Sequence, residues 1–365
     1  MTVLRGGLSA VLAGSSLIWM TASMSPPSAA TTTADAVVVP PGVTAGVAVF
    51  DRQAGQLTDV LNPDLQFRSA SVVKLLIVLD YLWERGPAYD IPAADRARLE
   101  VMLRSSDDAA ASYYWDHLGG AQIIDRMVER LGLTHTDGPP TTHPGFWGYA
   151  AFTAGDTVRI YRYLLDRAPA PVRSFVMGNL HQATRYGTDG FDQYFGIASV
   201  FDPAFSIKQG WSGFTSPTAK TKVAGVDLTS EALHTTGTVG TDDRTIVVVY
   251  TLHPNGTSYG KAYTDVTRLT RTLNVPGGVK SPGSWLTTSG SGVRVRSAPN
   301  TSGGVLGTLP AAVDVLVGCQ KKGQLIETPT RSSDWWAYLP KYGGYVTNVY
   351  VGSGGPKLPG VPDCQ

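Results

Sequence analysis

Cysteine is nearly absent from this 365-residue chain: there are two, Cys319 and Cys364, both close to the end. Two thiols so placed exclude a cysteine nucleophile in the body of the chain and a thiolate-rich metal site. Charge is sparse too, at 16% of residues against the usual quarter, and Lys plus Arg (30) nearly cancel Asp plus Glu (29). That balance leaves no field to gather nucleic acid or an anionic membrane surface, and neither is expected as a partner. Long hydrophobic runs are missing as well. The apolar stretch from Leu8 to Met20 is too short to span a bilayer, and no later segment is long and apolar enough. No His, Cys or carboxylate cluster has metal-ligand spacing, so no metal and no cofactor is expected.

What is abundant is glycine (41) and proline (24), beside a hydrophobic fraction of 42%, the mixture of a folded, loop-rich, exported protein. Arg5 ahead of the short apolar stretch, with Ser28, Ala29 and Ala30 after it, reads as a signal peptide over residues 1–30, cleaved near Ala30 or within Ala34-Asp35-Ala36. The expectation is a secreted protein, extracellular or associated with the cell wall. No cysteine follows the stretch, so lipid attachment is not expected. In an oxidising compartment Cys319 and Cys364 should pair, closing a 45-residue separation (364 minus 319) worth roughly 4 kcal/mol in the chain-entropy model.

The length suits one large domain plus a small one. Residues 31–41 read as a linker, and from Gly42 the segment GVTAGVAVFDRQAGQLTDVL has the alternation of a hairpin turning at Ala54-Gly55. Val72 to Trp83 is apolar nearly all round, the mark of a buried helix. Leu99, Met102 and Leu103 fall on one helical face, and Ile123, Ile124, Met127 and Leu131 on another. Residues 134–152 form an irregular loop, and Thr153 opens a further helix. AFSIKQGW, ALHTTGTVG and RTIVVVYTL read as three strands, and Tyr263 to Leu273 as a closing helix. Together these describe an α/β sandwich over 42–275 whose sheet is assembled from both ends of the domain. Residues 276–284 (PGGVKSPGS) are a linker, and 285–365 a second, all-β domain of short strands.

Chemistry enters at Ser71-Val72-Val73-Lys74. Three positions apart on a helix, a hydroxyl and an amine share a face, and the amine can help remove the hydroxyl proton. The spacing alone is common, because Ser often caps helices and Lys often sits in them. Two further segments give it context: Ser106-Asp107-Asp108, and Lys208-Gln209-Gly210 before Trp211. A serine acyl-transfer site needs a second hydroxyl to relay the proton to the leaving group and a cation to hold a substrate carboxylate. Ser106 and Lys208 are candidates for those parts.

This set, in this order, resembles the class A β-lactamase and penicillin-binding protein superfamily, whose motifs are Ser-x-x-Lys, Ser-Asp-Asn and Lys-Thr-Gly. Phe67-Arg68-Ser69-Ala70 resembles the approach to the family nucleophile, and Ser106-Asp107-Asp108-Ala109-Ala110-Ala111 its Ser-Asp-Asn-x-Ala-Ala. The resemblance implies a β-lactamase/transpeptidase-like sandwich, an antiparallel sheet flanked by helices. It implies catalytic Ser71 (nucleophile), Lys74 (base partner) and Ser106 (relay), with Asp108, Lys208, Gln209, Gly210 and Trp211 on the substrate side. Backbone N–H groups of Ser71 and Trp211 would form the oxyanion hole. The implied substrate is a β-lactam or a peptidoglycan peptide ending in D-alanine.

The chain departs from the pattern in three places. Asp108 replaces an Asn whose amide can donate to a substrate carbonyl, and a carboxylate near Lys208 would compete with the substrate for its charge. Gln209 replaces a hydroxyl residue, and loop 134–152 holds no Glu to activate water on an acyl-enzyme, so slow deacylation is expected. His143, 37 positions after Ser106, is a possible substitute base, since imidazole works near neutral pH; bonding of a loop histidine to its own backbone is the alternative. A catalytically weak binding protein for a wall peptide or protein partner is the alternative function. The C-terminal segment resembles a bacterial SH3-like (SH3b) barrel through Val293-Arg294-Val295-Arg296-Ser297-Ala298-Pro299, Gly304 to Leu309, Trp335-Trp336-Ala337 and Gly343-Gly344-Tyr345-Val346. That resemblance implies contact with the cell wall.

Overall fold

The computed structural model of the chain describes residues 37–214, 226–352 and 356–365. The segment read as a signal peptide and most of that read as the first linker lie outside the described residues. Among those described, no helix is long and apolar enough to cross a membrane.

The main sheet is antiparallel. Strands β1 (Thr44–Asp51) and β2 (Gln56–Leu61) form the expected hairpin, and β5 (Phe205–Ile207), β6 (Gly210–Ser212), β7 (Glu231–Val239) and β8 (Thr245–His253) come from the other end of the domain. Their order is β2-β1-β8-β7-β5, with β6 also on β7. The two ends meet where β1 pairs with β8 along its whole length. A small ribbon, β3 (Phe67–Arg68) with β4 (Ala151–Phe152), ties the approach to Ser71 to the end of loop 134–152.

Alternation along the central strands divides the interior into two layers. Ala48, Phe50, Ile246, Val248 and Tyr250 face the layer built on α1 (Lys74–Trp83), α2 (Ala93–Arg104), α3 (Asp108–His117), α4 (Gln122–Leu131), α5 (Ala154–Arg162) and α6 (Ala170–Leu180). Val47, Val49, Val247 and Val249 face α7 (Ile197–Val200) and α8 (Tyr259–Thr272). Helix α1 is the hub, buried from Lys74 through Leu82. The helical faces expected around Leu99 and Ile123 are buried, and Thr153 caps α5 by accepting from the Asp156 N–H.

Three sequence readings are corrected. AFSIKQGW is two short strands interrupted at Lys208-Gln209. At the break the Gln209 side chain supplies an acceptor to the Thr236 N–H (3.3 Å), the part a strand carbonyl would otherwise play. The closing helix begins four residues before Tyr263, because Ser258 caps it through the Lys261 N–H. Residues 276–284 are largely exposed yet tied down by backbone bonds: Asp202 N–H donates to the Val279 carbonyl and Ser281 N–H to that of Val200.

A separate all-β region follows. Strands β10 (Val293–Arg296), β11 (Val305–Leu309), β13 (Cys319–Glu327), β14 (Ser332–Leu339) and β15 (Gly344–Thr347) make a five-stranded antiparallel sheet, and β9 (Ser284–Thr287) pairs with β12 (Asp314–Val317). Val293, Val295, Val315, Val317, Leu339 and Val346 fill it, and Trp336 is buried while Trp335 and Tyr345 stay half-exposed. Cys319 and Cys364 are bonded, as expected, and pin the tail. Buried Gln320 adds to this, donating to the carbonyls of Leu358 and Val361 and accepting from the Leu358 N–H.

The all-β region sits against α8 and the 185–192 loop. Arg268 pairs with Asp314 at 2.7 Å, and the Tyr342 hydroxyl donates to Asp192 at 2.8 Å. Gly260 marks the closest approach: a Cβ there would lie 1.9 Å from the Ala311 carbonyl oxygen. We expect Gly260→Ala to force the two apart, costing about 1–3 kcal/mol as overpacking does. A lowered melting temperature with new protease cleavage near residues 276–284 would show it; unchanged melting and cleavage would refute the close seat.

Candidate active site

Ser71 lies in a one-turn 3-10 helix, Ala70–Val73, that runs directly into α1. Two features hold that turn. Behind it, the buried Arg68 guanidinium donates to the carbonyls of Ser212 (3.1 Å) and Asp227 (3.2 Å), and the Ser69 N–H donates to Ala150. In front, Gly210 of β6 comes so close that a Cβ would sit 3.0 Å from the Ser69 carbonyl oxygen. Ala70 takes a positive φ of 45°, a conformation an L-residue adopts only under constraint. The turn that carries Ser71 is thus held under backbone constraint at the head of α1.

Lys74, one turn on, is fully buried with its ammonium in a ring of acceptors. It donates to Ser71 Oγ at 2.8 Å, to the Ser106 carbonyl at 2.6 Å and to Asp108 Oδ1 at 2.6 Å, and it lies over the Trp147 ring at 4.8 Å. Ser106 stands between α2 and α3, where its φ of 56° and the Asp107 cap on the Ala110 N–H turn it inward. Lys74 Nζ is also 3.3 Å from Ser106 Oγ, and from the strand break Lys208 reaches that hydroxyl with its Nζ at 2.8 Å. The chain of contacts therefore runs Ser71, Lys74, Ser106, Lys208.

Burial pushes both amines below the ordinary lysine range. For Lys74 the nearby Asp108, Asp107 and Asp189 act against the shift. Lys208 is pushed well below that range, by burial first and then by the neighbouring Lys74, with Asp108 and Asp189 opposing. A cavity of about 750 Å³ lies elsewhere, between Tyr194, Phe205, Cys319 and Tyr338, and touches none of these groups. Another, of about 320 Å³, opens onto Ser71 and is walled by Asp108, Ser112, Phe146, Trp147, Tyr149, Trp211 and Ser212.

The remaining sequence candidates fall out unevenly. Trp211 is at the cavity wall, its indole N–H held by Asp189 at 2.8 Å. Asp108 is at the wall too; it is ion-paired with Lys74 and also acts on the charge of Lys208. Gln209 is not on the substrate side: its amide donates to the carbonyls of Gln193 (3.0 Å) and Phe195 (2.9 Å), away from the cavity. His143 is not brought to Ser71; its ring packs edge-on to Phe146 and Tyr149 and its Nδ1 pairs with the Thr142 hydroxyl. Asp137, the carboxylate within loop 134–152, is exposed and accepts from Gln66. The sequence reading missed Trp147, which bonds Ser112 at 3.1 Å and covers Lys74. Its signal was the aromatic cluster Phe146-Trp147-Gly148-Tyr149, read only as part of an irregular loop. Asp189 carries no local signal at all.

The architecture is the β-lactamase/transpeptidase-like fold. A solved class A β-lactamase from Bacteroides cellulosilyticus DSM 14838 matches it with a TM-score of 0.50 over 63% of this chain and 90% of that one, at 12% identity, a likeness of fold alone. No protein-family model matches the chain. Its sequence is 33% identical over 238 residues, 64% of this chain and 70% of the other, to the Mycobacterium tuberculosis (strain H37Rv) protein described as "Putative lipoprotein LppW". The chain belongs to that LppW family. A stretch of 82 residues, 20% of this chain, is 33% identical to 69% of "Uncharacterized protein YraI" of Bacillus subtilis (strain 168).

The seat of the site contains a pH-sensitive group. His234 on β7 is buried, donates from Nε2 to the Arg68 carbonyl at 2.8 Å and accepts at Nδ1 from the Thr251 N–H, so its ring is neutral. Loss of water pushes it down to about 3. An unfolded histidine titrates near 6.5, so below that pH the unfolded state takes up a proton the native state refuses, and native stability falls. We expect the His234 contribution to decline by about 1.4 kcal/mol per pH unit from roughly pH 6.5 down to about 3. Denaturant unfolding across that range, compared with His234→Gln, checks it. An equal acid sensitivity in the variant would refute the assignment.

Proposed function

We propose that this chain is an exported serine acyl-transfer enzyme in which Ser71 is acylated by a β-lactam or a D-alanyl peptide amide. The observation that carries the reading is the Lys74 amine 2.8 Å from Ser71 Oγ, with Ser106 joining it to Lys208 beside an open cavity. In this reading Ser71 Oγ attacks the carbonyl carbon, Lys74 takes its proton, and Ser106 passes a proton to the departing nitrogen. Lys208 anchors the substrate carboxylate, and the Ser71 and Trp211 backbone N–H groups receive the oxyanion.

Export is supported by the N-terminal pattern and by the description of the related LppW as a lipoprotein. The C-terminal all-β region is read as an SH3b-like module that contacts the cell wall. Release of the acyl group is slow in this scheme, because Asp108 is the one carboxylate at the wall of the described cavity and it is engaged with Lys74. That same pairing favours a second reading, a weakly active protein that binds a wall peptide.

Intact-mass time courses after mixing with benzylpenicillin test the assignment. We expect a one-to-one adduct that persists in the wild type and is absent from Ser71→Ala. Lys208→Ala should slow its formation by about tenfold or more, the scale of a lost charge-assisted contact. An adduct on Ser71→Ala, or none on the wild type at any concentration, would favour the binding reading.

A further inference from the structure

The Lys74–Asp108 pair is where the site departs most from the motif that it otherwise follows. Lys74 Nζ has three acceptors within 2.8 Å: Asp108 Oδ1, the Ser106 carbonyl and Ser71 Oγ. An ammonium has three N–H groups and meets all three by donating. In that state it has no lone pair to take the Ser71 proton. The carboxylate that favours this state sits in the position where the Ser-Asp-Asn motif has an uncharged amide.

We propose that Asp108 is an ionic lock on the nucleophile: its carboxylate pairs with the Lys74 ammonium and withholds that amine from acting as the base for Ser71. The proposal rests on the reading of Ser71 as the acylated group. Acylation forms the bond from Ser71 Oγ to the acyl carbon and breaks the acyl carbon to nitrogen bond. The Ser71 proton must go to a neutral Lys74 amine and a proton must reach the leaving nitrogen through Ser106, so the step waits until Lys74 has given up its extra proton.

Every charged group facing Lys74 bears on this balance. Burial is the largest influence and works against the ammonium; Asp108 and Asp107 at the start of α3 and Asp189 on the 187–191 loop favour it, and Asp108 is the largest of these three. Lys208 from the strand break opposes it: both amines reach Ser106 Oγ, at 3.3 and 2.8 Å, so they stand within about 6 Å of each other and repel. The indole of Trp147 closes over the amine and favours a cation. Asp108 is the group that can be changed without disturbing the core, since its side chain is 70% exposed while that of Lys74 is wholly buried.

Asp108→Asn keeps the shape and an acceptor oxygen while removing the charge, and Asp108→Ala removes both. Two readouts separate the lock from the reading beneath it. The first is the titration of the Lys74 ε-carbon by NMR, assigned by its loss in Lys74→Met. The second is the rate of benzylpenicillin adduct formation, by intact mass, from about pH 6 to about pH 10. We expect the Lys74 midpoint to fall by about 1–3 pH units in both Asp108 variants, as removal of an adjacent opposite charge implies. Adduct formation at neutral pH should rise by about tenfold or more, and its pH profile should move down with the midpoint. A Lys74 midpoint that stays or rises in the variants overturns the lock, and so does a lowered midpoint with slower acylation. A lowered midpoint with no adduct on any protein supports the lock on Lys74 and sinks the reading of Ser71 as an acylated nucleophile.

Discussion

The structure is organised around the burial of two amines. Lys74 and Lys208 have lost essentially all contact with water, and each meets the same hydroxyl, Ser106. Removing an ammonium from water is costly unless acceptors replace the solvent, and three elements bring acceptors to this place. The 3-10 turn brings Ser71, the α2–α3 corner brings the Ser106 carbonyl and hydroxyl, and the head of α3 brings Asp108. Helix α1 can carry Lys74 into the interior because it is otherwise mostly apolar and buried through Leu82, its one buried carboxylate, Asp80, being paired with Arg126 and Arg130.

The same constraint explains the backbone oddities. Ala70 and Ser106 hold positive φ angles because the turns bearing Ser71 and Ser106 must both point at one place. The sheet edge breaks after Ile207 so that Lys208 can turn inward, and Gln209 repairs the break by bonding the carbonyls of Gln193 and Phe195 and the Thr236 N–H. A hydroxyl residue at position 209 is too short to do this. The residue that looked like a change in substrate recognition is part of the scaffold.

The C-terminal region touches this centre at one remove. Arg185 pairs with Asp192 and stacks over Tyr342 of the all-β region at 4.0 Å, and the loop between them carries Asp189, which fixes the Trp211 indole at the cavity wall. The disulfide and Gln320 hold the tail on the far sheet, so the region presents a fixed surface to α8 and to that loop.

Much of this was legible in the sequence because it is periodic or local. The β1–β2 alternation, the apolar run of α1, the buried faces of α2 and α4, the Ser71/Lys74 spacing and the two lone cysteines each express a rule that acts within a short segment. The order of the three motifs also suggested that Ser106 and Lys208 would face Ser71. What the sequence left open depended on which atom lies nearest once distant segments meet. Asp108 could have faced either amine, and the corner at Ser106 decided for Lys74. His143 had the right distance along the chain, yet packing against Phe146 and Tyr149 left it off the cavity while Trp147 took the place over Lys74. Periodicity and motif spacing fix what a segment is; only tertiary contact, through burial and charge, fixes which partner its polar groups find.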